Sequence, residues 1–269
     1  MSRLFLTWGL LLAAAFGYLS TVARGEQPHS AGVVEAVVLE DLVAANRILV
    51  DQGVLDGFGH VSIRHPKDPD RYLMARNIAP ELVTASDILE YDLDSNPIDS
   101  MGQRTFLERF IHGEVYKARS DVQAVIHSHS PSVVPFGISS HALKPVFHMS
   151  GFLAAGVPTW DIREAAGGPS NMLVSSIALG KKLADRLADK PVVLMRGHGN
   201  VVVGPTLQFA VYRAVYTEIN ARLQLQAQGL GGPLNFLTPE EGKLADATIM
   251  TQIERPWQLW RKKALGKRG

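Results

Sequence analysis

Apolar residues recur at helical spacing between Val34 and Val50, at Val37, Val38, Leu42, Ala45, Ile48 and Leu49, which predicts an amphipathic helix. Asp51-Gln52-Gly53 closes it, Gly53 serving as the left-handed stop. Gly57 to Arg64 reads as a turn entering a strand, His65 to Asp70 as a Pro/Asp turn, and Arg71 to Ala75 as a second strand. Asp87 to Leu93 is a third strand, ended by the turn from Asp94 to Pro97. Thr105 to Ala118, with Phe106, Phe110, Ile111 and Val115 on one face, predicts a helix. Val122 to His127 is a short apolar run that suits a buried strand, and Ser132 leads into a mostly apolar loop and helix region through Phe152. Met172 to Asp189 predicts a helix, Pro191 to Met195 a strand, Arg196 to Asn200 a tight turn, and Val201 to Val203 another strand. Leu207 to Leu230 is the longest predicted helix, and a looser region from Gly229 to Pro233 runs on to Trp257 and Trp260. Helices alternate with strands and no repeat or internal linker interrupts them, so the fold class is α/β, a single domain around a central β-sheet. The boundaries are a domain over 35–232, a connector over 24–34 and a C-terminal extension over 233–269.

The N-terminus changes the picture of where the chain works. Arg3 precedes an apolar run from Leu4 to Leu19, followed by Ser20-Thr21-Val22-Ala23. That order reads as a secretory signal over 1–23, cleaved after about Ala23; an uncleaved anchor is the alternative. The mature protein is then periplasmic or secreted. It has no cysteine, so no disulfide braces it and no thiolate can act as nucleophile or ligand. Any metal site must use His and carboxylates. Composition is that of an ordinary globular chain: 269 residues, 46% hydrophobic and 20% charged. A net charge of +1 gives no reason to expect nucleic acid or an acidic membrane as partner. The basic tail with Arg261, Lys262, Lys263, Lys267 and Arg268 reads as a solvated terminus.

The candidate chemistry lies at strand ends. His127-Ser128-His129 leaves an apolar strand, and residues at i and i+2 share a strand face, so both imidazoles can converge on one ion. His198 sits between Gly197 and Gly199 directly after another strand. Three imidazoles in strand-end turns suit a catalytic divalent ion, zinc or manganese, with iron also compatible. Glu108 and His112 are four apart and share a helix face. The bland alternative is a solvated helix pair; the functional one makes Glu108 a metal-side acid or base and His112 its neighbour.

Taken in order, these residues resemble the class II aldolase/adducin family from about Val37 to Leu230. Gly59-His60-Val61-Ser62-Ile63-Arg64 stands where the family usually has Gly-Asn-x-Ser-x-Arg, followed by Glu108-x-x-x-His112, Ala124-Val125-Ile126-His127-Ser128-His129 and Arg196-Gly197-His198-Gly199. The resemblance implies an αβα fold, commonly a homo-tetramer with sites at subunit interfaces. It places the family's metal ligands on His127, His129 and His198, and its catalytic glutamate on Glu108.

Departures from the family pattern narrow the chemistry. Sugar-phosphate aldolases of the family grip phosphate with small polar residues, including a Ser-Ser pair before the glutamate. Here Phe106-Leu107 stands there, His60 replaces the Asn, and Ala75-Arg76-Asn77-Ile78 replaces a Thr/Ser-Gly loop. A dianion nest of hydroxyls and amides is lost. What remains resembles the family's decarboxylase branch, which acts on hydroxylated aromatic or pyridine carboxylates. On that reading the substrate is a small carboxylate, Glu108 or His60 supplies the replacement proton, and Arg64, Arg76 and His112 are candidates to bind substrate. Phe106, Phe136 and Phe147 are candidate walls for an aromatic ring, with core packing as the alternative. A Glu proton donor would need its pKa raised by burial. Other readings are aldol cleavage of an unphosphorylated hydroxy acid or sugar, an iron-dependent oxygenase on the same fold, and a non-catalytic adducin-like module.

Overall fold

The computed structural model describes residue 1 and residues 29–266; the rest of the expected signal segment, residues 24–28 of the connector and the last three residues lie outside these. The first helix, α1 (Ala36–Asp51), falls where the apolar period places it. Then come β1 (His60–His65), β2 (Asp68–Ala75) and β3 (Ile88–Asp92), followed by α2 (Phe110–Ala118) and β4 (Ala124–Ser128). Next are α3 (Val134–Ile138), a 3-10 segment His148–Ala155, β5 (Thr159–Trp160), α4 (Ile162–Ala166) and α5 (Ile177–Leu187). The chain closes with β6 (Val192–Met195), β7 (Gly199–Gly204), α6 (Leu207–Gly229), α7 (Pro239–Met250) and α8 (Glu254–Gly266).

The strands form one seven-stranded sheet in the order β3-β2-β1-β4-β7-β6-β5, antiparallel throughout except for the β5–β6 pair. Strand alternation divides the core in two. Val61, Ile63, Ala124, Ile126, Leu194 and Val202 point to the side covered by α1, α6 and α8. Tyr72, Met74, Val125, Val193, Val201 and Val203 point to the side covered by α2 and α5. The result is an αβα sandwich, as expected. Because His60, Ser62 and Arg64 alternate with Val61 and Ile63, and His127 follows Val125 by two, all four face the α2 layer.

Three expectations are corrected. The helix expected over Met172–Asp189 begins only at Ile177, where the Ser176 side chain accepts from the Leu179 amide. Met172 has φ +69, a left-handed backbone that a helix cannot continue through. The helix expected from Thr105 opens as a 3-10 turn, Leu107–Arg109, kinked at Glu108 (φ −92, ψ 18). Lastly, the C-terminal region is not loose. Two helices form there, and Ile253, Trp257 and Ala264 join the core against α1 and α6. Arg261 fastens α8 to α1 through Asp41, 2.6 Å from its Nε. No helix among the described residues is long and apolar enough to cross a membrane.

Candidate metal centre

The site gathers at one end of the sheet, where β4 ends and β1 and β7 begin. The register pairs His60 with His127 and Ser128 with Asn200. Two glycines permit the packing. Gly59 has φ +88, and a Cβ there would stand 2.9 Å from the His127 carbonyl oxygen. A Cβ on Gly199 would stand 2.0 Å from the oxygen of Ser128. Any side chain at these positions would push the histidine-bearing strands apart.

Four side chains meet there: Glu108, His127, His129 and His198, with one ligand atom from each lying within 4.8 Å of all the others. The Nε2 of His129 is 3.2 Å from that of His127 and 3.0 Å from that of His198. Glu108 Oε2 is 3.5 Å from His127 Nε2 and 3.4 Å from His198 Nε2. Donors about 2.0–2.1 Å from a tetrahedral ion stand roughly 3.3 Å apart, so the observed spacing fits such an ion. Ring orientation agrees. His127 Nδ1 donates to the Asn200 carbonyl at 3.1 Å and His198 Nδ1 to the Met172 carbonyl at 2.9 Å. With those protons held outward, both rings turn Nε2 toward the centre of the cluster. Facing lone pairs and a carboxylate repel unless a cation lies among them, so the residues present fit a divalent metal.

Glu108 is buried and its other oxygen, Oε1, accepts from the Val174 amide at 2.9 Å. Burial alone would raise its pKa, but the imidazoles of His127 and His198 outweigh that and hold it far below the usual carboxylate range. The raised pKa expected of a Glu proton donor is therefore absent. Glu108 also raises His198 against the opposing effect of burial, while burial and the neighbouring His127 pull His129 down to about 4. His129 and His198 are only partly buried, which leaves the cluster open on their side.

The remaining predicted residues separate. His60 borders the cluster, its ring 5.1 Å from His127 and 4.7 Å from Phe106. His112 is 0% exposed and lies behind His60, 2.6 Å from its Nδ1; it cannot touch a substrate, which corrects the expectation that it binds one. Arg64 stands four residues along β1 from His60. Its guanidinium donates to the carbonyls of Val122, Pro69, Tyr116 and Arg119. It ties α2, β2 and the loop between α2 and β4 together at the far end of the strand and is not a carboxylate receptor. Arg76, by the register Ser62 to Met74, lies opposite His60 just past β2. Asp87 holds its Nε at 2.7 Å, and the side chain is 34% exposed, so Arg76 stays at the metal end. Phe136 is core, Phe147 packs by Tyr216, and only Phe106 of the three reaches the site. Phe58 was passed over in the sequence, yet its ring lies 6.3 Å from His129 and is 69% exposed. Its place after Gly57, at the entrance to the His60 strand, was the available signal. His141, in a loop, and His148, at the start of the 3-10 segment, are exposed and take no part in the cluster.

Known proteins share both the sequence and the architecture. Residues 40–225 match the model of the Class II Aldolase and Adducin N-terminal domain. Decarboxylase tropJ of Talaromyces stipitatus is 34% identical over 247 residues, 84% of this chain and 93% of that protein. The 3,4-dihydroxyphthalate decarboxylase of Arthrobacter keyseri is 32% identical over 244 residues, 85% of this chain and 92% of that one. The crystal structure of an aldolase II superfamily protein from Pseudomonas syringae superimposes with a TM-score of 0.72 at 22% identity, covering 86% of this chain and 94% of that one. With more than half its length matched by the family model and its fold shared, this chain belongs to the class II aldolase/adducin family.

Proposed function

We propose that this protein is a divalent-metal-dependent carbon–carbon lyase that decarboxylates a hydroxylated aromatic or heteroaromatic carboxylate. The observation that carries the reading is the inward-facing set of His127, His129, His198 and Glu108 at the spacing a bound ion requires. The two decarboxylase relatives support the same reaction class. Zinc or manganese suits the three imidazoles and one carboxylate, and iron suits them as well. A divalent ion held there supplies Lewis acidity for the negative charge left on carbon when the C–C bond breaks.

The chain's own groups then divide the work. Glu108 is a fixed anion, with Oε1 on the Val174 amide and Oε2 toward the imidazoles; it orients and balances charge. His60 is the group placed to hand on a solvent-derived proton to the carbon that loses the carboxylate, because its Nδ1 is tied inward to His112 and its Nε2 has no hydrogen-bond partner among the described residues. Phe106 packs on His60, Phe58, 69% exposed, lies by His129 on the open side, and Leu107, next in sequence to Glu108, is 60% exposed. These apolar faces suit a planar ring and offer no hydroxyl to a phosphate. Arg76 is the cation available to a second carboxylate. Ile138, also exposed, adjoins the turn that carries His198. An apolar rim of this kind favours cover by another subunit, so a homo-oligomer, as the family resemblance implies a tetramer, is part of the reading. The N-terminal pattern supports export, which the N-terminal mass of the mature protein would check.

The deciding experiment loads purified protein with zinc, manganese or iron and screens hydroxybenzoates, phthalates and pyridine carboxylates for carbon dioxide release. Aldehyde release from a hydroxy acid, with no carbon dioxide from any of these acids, would replace decarboxylation with aldol cleavage.

A further inference from the structure

Behind His60 runs a file of three buried side chains, His112, Ser62 and Tyr116, that the reaction as described does not use. His60 Nδ1 lies 2.6 Å from His112 Nε2, His112 Nδ1 lies 2.6 Å from Ser62 Oγ, and Ser62 Oγ lies 2.8 Å from the Tyr116 hydroxyl. His112 and Ser62 are fully buried, Tyr116 2% exposed and His60 4% exposed. The strand and helix periods build this file: His60 and Ser62 are alternate residues of β1, and His112 and Tyr116 are one turn apart on α2. Arg64 lies over the Tyr116 ring, 4.8 Å from its centroid, and fixes the far end.

The direction of the hydrogen bonds follows from counting donors. Tyr116 has one proton, and Ser62 Oγ is the acceptor its hydroxyl reaches among the described residues. A buried hydroxyl proton is rarely left unpaired, so the phenol donates to Ser62. The Ser62 proton then goes to its other neighbour, His112 Nδ1. A neutral His112 that accepts at Nδ1 carries its proton on Nε2 and donates it to His60 Nδ1. By the same step His60 carries its proton on Nε2, the nitrogen with no hydrogen-bond partner among the described residues. Reversing the file would strand the phenol proton in the core.

We propose that Ser62 and Tyr116 are positioning residues: acting through His112, they hold His60 as the Nε2–H tautomer, its N–H presented to the metal pocket. The catalytic meaning of this assignment rests on the decarboxylase reading; the tautomer itself does not. The file carries no net charge, so it sets which nitrogen bears the proton without placing an ion in the core.

Long-range 15N–1H correlation spectra of the full-length protein test it, recorded with metal chelated and again with zinc added. His60→Gln and His112→Gln assign the two rings. The expected spectrum shows both rings neutral and protonated on Nε2. An Nδ1–H form at either ring overturns the proposal. Tyr116→Phe removes the proton that directs the file, so an Nδ1–H population should appear at His60. On the substrate found by the screen, kcat should fall about tenfold with KM within about twofold, because a misdirected proton donor loses part of its usual contribution. Ser62→Thr keeps a hydroxyl and should keep the wild-type tautomers. Spectra of Tyr116→Phe identical to wild type would remove Tyr116 from the role. Since the spectra need no substrate, failure to decarboxylate any acid would sink the activity and leave the tautomer result standing. Wrong tautomers in an active decarboxylase would sink the relay alone.

Discussion

Glu108 and Val174 are joined by a single hydrogen bond, from the Val174 amide to Glu108 Oε1 at 2.9 Å, and that bond aims the other carboxylate oxygen at the histidines. The same short segment serves His198, whose Nδ1 donates to the Met172 carbonyl. Two residues apart in a non-helical stretch, Met172 and Val174 orient two members of one cluster. Glu108→Gln keeps the amide contact and volume but removes the charge. Zinc affinity should fall about tenfold or more, the scale seen when a group supporting a metal site is lost, while the thermal midpoint without metal changes little. Chelator-competition titration measures the first and calorimetry the second. Unchanged zinc affinity would take Glu108 out of the metal's surroundings.

Acid should destabilise the metal-free protein in a defined window. Burial is the largest influence on His60 and His112, lowering both, His112 to about 3 from an ordinary 6.5; His129 is lowered to about 4. Folded-state values below the unfolded ones mean that the unfolded chain binds more protons between about pH 6.5 and pH 4. These rings therefore contribute stability that is complete above pH 6.5 and is lost as pH falls. His198, raised by Glu108, works in the opposite sense and offsets part of the loss. Urea midpoints should be flat above about pH 7 and drop steeply below 6.5. A midpoint that stays level to pH 4 would show the rings are not held neutral.

Much of this was legible in the chain because its signals are local. The period of α1, the apolar run of β4 and the His127-Ser128-His129 spacing each report on a few neighbouring residues. The helix assigned from Met172 overreached because apolar spacing continues through residues whose backbone is set by tertiary contacts: Met172 and Val174 are held by His198 and Glu108. Arg64 looked like a substrate cation because a sequence shows a charge but not the four carbonyls around it. The file from His60 to Tyr116 joins residues more than fifty positions apart, and no local pattern carries that. The C-terminal helices were missed for a related reason: α8 is only weakly apolar and is held by a few large anchors.

Arg64→Lys separates the structural role from the one first expected. A lysine ammonium has three donors at one point and cannot span four carbonyls. Stability should fall by about 2 kcal/mol or more, the scale of leaving buried carbonyls unpaired, with zinc affinity within about twofold. A raised KM at unchanged stability is the opposite outcome and would return Arg64 to the substrate.

Trp257 tests whether the last helices belong to the domain. It is 3% exposed and lies in the core cluster that includes Leu42 and Ile48 of α1 and Val215 of α6. Truncating a buried aromatic of this size typically costs about 3–5 kcal/mol through lost burial and the cavity left behind. The metal cluster sits on the other face of the sheet, toward α2. Trp257→Ala should therefore lower the urea midpoint strongly while zinc affinity of the remaining folded protein, measured at low temperature, stays within about twofold. A variant as stable as wild type would mark the helices after Leu230 as an appendage, in keeping with the looser region the apolar pattern suggested. A loss of metal affinity at unchanged stability would instead place the C-terminal helices in contact with the site through a neighbouring subunit.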